Sequence, residues 1–146
     1  MDSDLKNRIT KYISECPACT LATATVDGEP NASTVFISNV GMDLYFNTAK
    51  DSQKIRNIQA NPRVSIAMQK IAFPKTDAEI SGIQYNGAAK ILADDNLADV
   101  PGGVMARHKA FNSVKPGNAV IVKVTPKKIY LVDYSKGFRH RDVLDI

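Results

Sequence analysis

The sequence predicts an antiparallel, mainly β domain with helices at its edges. Two hairpin signals, Asp27-Gly28-Glu29-Pro30 and Gly41-Met42-Asp43, lie between runs that favour strands. Val64, Ile66 and Met68 alternate with Ser65 and Ala67, which is the strand period. Three short stretches carry helical spacing instead, and each sits before or between strands.

The first helix is expected over Ser3 to Glu15. Leu5, Ile9, Tyr12 and Ile13 fall on one apolar stripe, with Asp2 or Ser3 as the cap. Cys16-Pro17-Ala18-Cys19 then joins helix to strand. A C-x-x-C spacing invites a zinc or redox reading. Zinc needs two further ligands, and no other cysteine exists; His108 and His140 are distant in sequence. A reactive dithiol draws its acidity from a helix N-terminus, whereas this pair sits at a helix end. The structural reading of both thiols follows.

Thr20 to Val26 and Asn31 to Val40 flank the first hairpin turn. In the second of these strands Val35 and Ile37 oppose Thr34 and Phe36, so both faces are largely apolar. Such a strand either meets a second protomer or a ligand, or is a central strand covered by a helix.

Leu44 to Thr48 is a further strand, and Asp51 or Ser52 can cap a helix in which Ile55 and Ile58 share a face. Asn61-Pro62 ends it, because the residue before proline is pushed out of the α region. The start of this helix has free N–H groups and a dipole that favours negative charge. Thr48 and Ser52 add hydroxyls; Lys50, Lys54 and Arg56 add cations. The pattern is that of an anion site, above all for phosphate, or of a well-capped, solvated surface helix.

Lys70 to Asp77 reads as a loop, and Glu79 to Leu92 as a long strand closed by Asp94-Asp95-Asn96. Gly82 and Gly87 mark bulges or close approaches in that strand. Val104 to Val114 is a short helix with Val104, His108 and Phe111 on one side. His108 lacks a carboxylate or nucleophile at useful spacing and reads as an ordinary helix residue. Ala119 to Val124 and Ile129 to Val132 are expected as two strands bent apart at Thr125-Pro126. The aromatic, basic stretch Tyr134 to Arg141 either closes over a bound molecule or is a plain surface tail.

The 146 residues suit one domain, spanning 1–146, with a core of its own. Hydrophobic residues at 44% and charged ones at 23% argue against disorder. No apolar run approaches the roughly 20 residues of a membrane span. Met1-Asp2-Ser3-Asp4 lacks the basic and apolar regions of a signal peptide, so a cytoplasmic protein is expected. A net charge of +4 suits a phosphorylated small ligand and does not call for nucleic acid.

Asn47-Thr48, Ser52-Gln53-Lys54 and Asn61-Pro62-Arg63-Val64, in that order and spacing, resemble the pyridoxamine-phosphate-oxidase-like family of FMN-binding split barrels. Leu21 to Pro30 and Ala32 to Phe36 resemble its first hairpin. The resemblance covers about residues 19 to 70. It implies a Greek-key, antiparallel split β-barrel that forms a homodimer with FMN at each subunit interface. Lys54, with Ser52, Thr48 and Gln53, would hold the FMN phosphate. The family often has Arg where this chain has Gln53, and Lys50 or Arg56 can supply that charge. Asn47 would lie beside the ribityl chain or ring edge, and Ser33, Thr34 and Val35 along the isoalloxazine.

The chain departs from the oxidase itself. It has no Trp and lacks the Arg-Leu-x-Pro ending, and Gln84 stands near the place of the family's strand Gln. A flavin reductase or oxidase acting on another small substrate is the reading that results. A flavin-binding or electron-carrier module without its own substrate, or a deazaflavin or haem binder on the same fold, is the alternative. Substrate, electron donor and catalytic residues are not legible, because a flavin carries its own chemistry.

Overall fold

A computed structural model describes residues 2–110 and 117–146 of the chain. The chain opens with helix α1 (Asp2–Ser14) and strand β1 (Ala18–Ala24). Strands β2 (Pro30–Phe36), β3 (Ser38–Val40) and β4 (Asp43–Ala49) follow, then helix α2 (Gln53–Ala60). Strands β5 (Arg63–Met68) and β6 (Ser81–Leu92), helix α3 (Gly102–Ala110), β7 (Ala119–Asp133) and β8 (Arg141–Asp145) complete it.

The described strands form one antiparallel sheet in the order β2-β1-β5-β6-β7-β4-β3, with β8 also on β7. The two ends of that order, β2 and β3, are consecutive in the chain and separated only by Ile37. The connection therefore draws the two sheet edges together, and the sheet curls into a split barrel. Ile37 makes the corner: its side chain is buried, and its N–H donates to the Pro17 carbonyl at 2.8 Å. The sequence reading had one strand from Asn31 to Val40; this corner divides it.

The barrel interior takes the inward residues of each strand. Leu21, Val35, Leu44, Phe46, Ile66, Ile83, Val122, Val124 and Ile129 are all buried there. Helix α1 covers part of this core with Ile9, Tyr12 and Ile13, on the stripe its spacing predicts. Helix α2 adds Ile55 and Ile58. Tyr85 is fully buried, and its hydroxyl donates to the carbonyls of Met42 and Val124 at 2.7 and 3.2 Å. Burial pushes that phenol well above its ordinary pKa, so it stays a hydrogen-bond donor.

A second cluster lies on the outer face. Tyr45, Leu92 and Ile121 pack there with Val100 and Val104, so α3 shields the outside of β4 and β7. The strand buried on both faces is thus β4. β2 is an edge strand, with Thr34 exposed and Phe36 55% exposed, which overturns the reading of it as a central strand under a helix. The predicted helix face of Val104, His108 and Phe111 lies partly outside the described residues.

Two further expectations change. β7 is one strand of 15 residues, not two. Pro126 is tolerated because β7 pairs with β4 only over Ala119–Val124 and with β8 only over Lys128–Val132. On that side nothing needs the missing proline N–H. On the other side the β6 register shifts between Asn86 and Gly87, the bulge the glycine pattern predicts. The stretch from Tyr134 is no loose tail either. It turns through Gly137 and returns as β8, held by Asp142 against Arg8, Lys136 and His140.

Candidate functional site

β4 delivers Asn47 and Thr48 to the corner where α2 begins. Their register against Ile121 and Val120 of β7 fixes how far the strand runs before it turns. The Lys50 N–H donates to Asn118 O at 2.8 Å and the Ser52 N–H to Ala49 O at 3.2 Å, closing a tight turn. Ser52 is the N-cap, in extended conformation, yet its side chain makes no capping hydrogen bond. Its Oγ instead accepts from Thr48 Oγ1 at 3.3 Å. The first turn of α2 holds no acidic residue. Its leading N–H groups therefore have no side-chain acceptor from Ser52, and the nearest carboxylate in sequence, Asp51, precedes the cap.

The cations around this turn divide. Arg56 is engaged: Nη1 donates to Asp51 O at 2.6 Å and Nη2 to Gln53 Oε1 at 2.9 Å. Lys54 is half-buried and makes no ion pair among the described residues. Lys50 is exposed. Gln53 uses both ends of its amide, since Nε2 also donates to Asn57 Oδ1 at 2.8 Å. Its backbone N–H, at the helix start, is placed to meet an anion.

The structure thus gathers Asn47, Thr48, Ser52, Gln53 and Lys54 at one β4–α2 corner. Ser33, Thr34 and Val35 lie on β2, opposite Leu21, Thr20 and Cys19. Val35 points into the core, Ser33 is half-buried and Thr34 faces outward. β2 has one strand partner in the sheet order, so its outer row of backbone groups is open to a ligand or another chain.

Asn57 is the residue the sequence reading missed. It is 2% exposed and ties α2 to both β1 and β2 through Thr23 and Asn31. A signal was present: an amide between Ile55 and Ile58, on the buried side of an amphipathic helix, needs partners. Two hollows lie on the sheet, and the second takes in one of the predicted residues, Thr34. One, of about 430 Å³, lies over Ala22, Ala24, Arg63, Ser65, Asn86 and Lys127. The other, of about 410 Å³, is lined by Cys19, Thr20, Thr34, Ala67 and Met68.

Both cysteines are free and buried. Burial, with Cys16 beside it, pushes the Cys19 thiol up to about 12, and burial raises Cys16 too. Burial thus works against the thiolate form of both. Among the described residues no group of His, Cys, Asp and Glu could hold a metal ion, and no helix is long and apolar enough to cross a membrane.

The sequence profile of the family described as pyridoxamine 5'-phosphate oxidase matches residues 5–133. The chain belongs to that family. No curated protein sequence matches it. Among solved structures, the General Stress Protein 26 from Bacillus anthracis is similar with a TM-score of 0.70 and 24% identity, over 97% of this chain and 98% of that one. A heme binding protein from Mycobacterium smegmatis reaches a TM-score of 0.75 at 19% identity, over 96% of this chain and 57% of that one. HutZ, the heme storage protein from Vibrio cholerae, gives 0.65 at 20% identity, over 84% of this chain and 90% of that one. These likenesses show that the family fold is shared.

Proposed function

We propose that this chain is an FMN-binding flavoprotein that works as a homodimer, an oxidoreductase of the flavin reductase or oxidase type acting on a small substrate. One observation carries the reading. The first turn of α2 is uncapped and free of carboxylates, beside the Thr48 and Ser52 hydroxyls and a half-buried Lys54 that has no ion-pair partner among the described residues. A phosphate fits such a turn. Membership of the pyridoxamine 5'-phosphate oxidase family supports flavin as the group that carries it.

In this reading Ser52, Thr48, Lys54 and the Gln53 N–H hold the phosphate. Asn47 lies beside the ribityl chain. The open edge of β2 at Ser33, Thr34 and Val35 offers backbone donors and acceptors to the polar rim of the ring. Bound FMN would supply hydride or electron transfer, and the protein's part is to bind, orient and shield it. Two buried free thiols suit a reducing, cytoplasmic setting.

Two solved structures of this fold are named for haem, which makes a haem binder the second reading. Haem needs an axial ligand. His140 has its Nε2 at 3.1 Å from Asp142 Oδ1, which leaves Nδ1 as the ring nitrogen open to a ligand in that reading.

The visible absorption spectrum of the purified protein, alone and after supply of FMN, tests the reading. Flavin bands are expected. A haem spectrum, or a colourless protein that takes up no flavin, overturns it. Reduction by a nicotinamide donor with turnover on an acceptor marks the enzyme. A flavin that cycles only with a partner protein marks an electron carrier.

A further inference from the structure

We propose that Asn57 is a positioning residue that holds the first turn of α2 in register with β2, and so makes the two ends of the site one. The inference rests on the FMN reading above.

Asn57 sits between the buried Ile55 and Ile58 and is itself buried. An amide there costs free energy unless its hydrogen-bonding groups are used. They are used. Nδ2 donates to Thr23 Oγ1 at 2.9 Å and to Asn31 Oδ1 at 2.8 Å, while Oδ1 accepts from Gln53 Nε2 at 2.8 Å. Thr23 and Asn31 stand directly opposite each other across β1 and β2. One side chain therefore clamps a matched pair of the hairpin.

Its third bond runs the other way, to the first residue of α2. Gln53 in turn accepts from Arg56, whose second arm holds the Asp51 carbonyl. The turn before α2, its first turn and the start of β2 are thus linked by directional bonds and not by packing alone. Asn31 lies two residues before Ser33, on the same face of β2.

A ligand that reaches from the helix start to β2 gains from both ends only while their separation is fixed. FMN has both ends. Riboflavin lacks the phosphate and reaches only one. Asn57 should then act on the preference for FMN over riboflavin, and not on flavin affinity at large.

The test is fluorescence titration of FMN and riboflavin into wild type, Asn57→Ala, Asn31→Ala, Lys54→Ala and the Asn57→Ala/Lys54→Ala pair. Asn31 is half-buried at the start of its strand, so Asn31→Ala keeps the test available if Asn57→Ala does not fold. Each of the two Asn variants should reduce the FMN preference by about three- to tenfold, the worth of one net hydrogen bond. Riboflavin binding should be unchanged. The double variant should lose less than the two singles together, because a helix out of register gives Lys54 less to hold. Equal losses of both flavins in Asn31→Ala, or a full FMN preference retained there, overturn the positioning role and leave the FMN reading standing. A wild type that binds FMN no better than riboflavin overturns both.

Discussion

Gly87 of β6 lies directly against Thr125 of β7. A methyl group on Gly87 would fall inside the van der Waals envelope of the Thr125 carbonyl oxygen and meet Tyr85 Cε1 at 3.0 Å. The carbonyl is backbone within the bulged β6–β7 pairing and cannot swing aside as a flexible side chain would. Gly87→Ala should therefore destabilise the fold by about 1–3 kcal/mol, the range for forced overpacking. Urea unfolding would measure it. Gly103→Ala is the control, since a methyl there meets nothing within 4 Å.

Asp142 links the C-terminal strand to α1. Its carboxylate meets Arg8 at 3.1 Å, His140 at 3.1 Å and Lys136 at 3.6 Å. Burial pushes the Asp142 pKa up, but the Arg8 and His140 hydrogen bonds and the Lys136 charge outweigh it and hold the carboxyl below its ordinary value. A depressed carboxyl stabilises the fold above its unfolded pKa of about 3.9, and that share is lost as pH falls through the folded value. Asp142→Asn should cost about 1 kcal/mol at pH 7, the upper end for partly exposed pairs. That corresponds to roughly 2–4 °C in Tm. The deficit should shrink below pH 4 or so, where wild type loses the charge as well. A deficit that is flat from pH 7 to pH 3 would assign the effect to packing.

What the sequence made legible was local. Asn61-Pro62 ends α2 where expected, because proline acts on the residue beside it. The stripe of Leu5, Ile9, Tyr12 and Ile13 found α1, and Gly87 found the bulge. The misses depend on distant partners. Ile37 becomes a corner because Pro17 accepts its N–H. Pro126 stays within a strand because β4 and β8 stop short on either side of it. Of the site, the β4–α2 corner was readable, being one continuous stretch. The partners of Asn57 were not, because Thr23 and Asn31 lie 34 and 26 residues away.

The outer face of β2, β1 and β5 supports the expectation of a homodimer. Ala32, Thr34, Phe36 and Ala67 are exposed there, and Ala22 and Ala24 are half-buried. Small residues beside an exposed aromatic on an open-edged strand suit a second copy of the same face. Sedimentation with FMN present should give twice the chain mass of 15.9 kDa. A monomer at micromolar concentration would count decisively against this. Phe36→Lys places a charge in that face and should shift the equilibrium towards monomer.

Lys54 should discriminate FMN from riboflavin. It lies in the first turn of α2, where its ammonium can approach an anion already held by backbone N–H groups. Arg56 cannot substitute without giving up Asp51 and Gln53, which leaves the exposed Lys50 as the turn's other cation. A charge-assisted contact of this kind is worth about 1.5–3 kcal/mol when partly shielded from water. Lys54→Ala should then weaken FMN binding by roughly ten- to a hundredfold. Riboflavin binding should hardly change. Lys6→Ala, on the exposed face of α1, should leave both ligands alone. Flavin-fluorescence titration of the three proteins with the two ligands decides it. Equal losses in Lys54→Ala would give the residue to the fold and not to the phosphate. No loss for either ligand would remove α2 from the site, and with it most of the case for FMN.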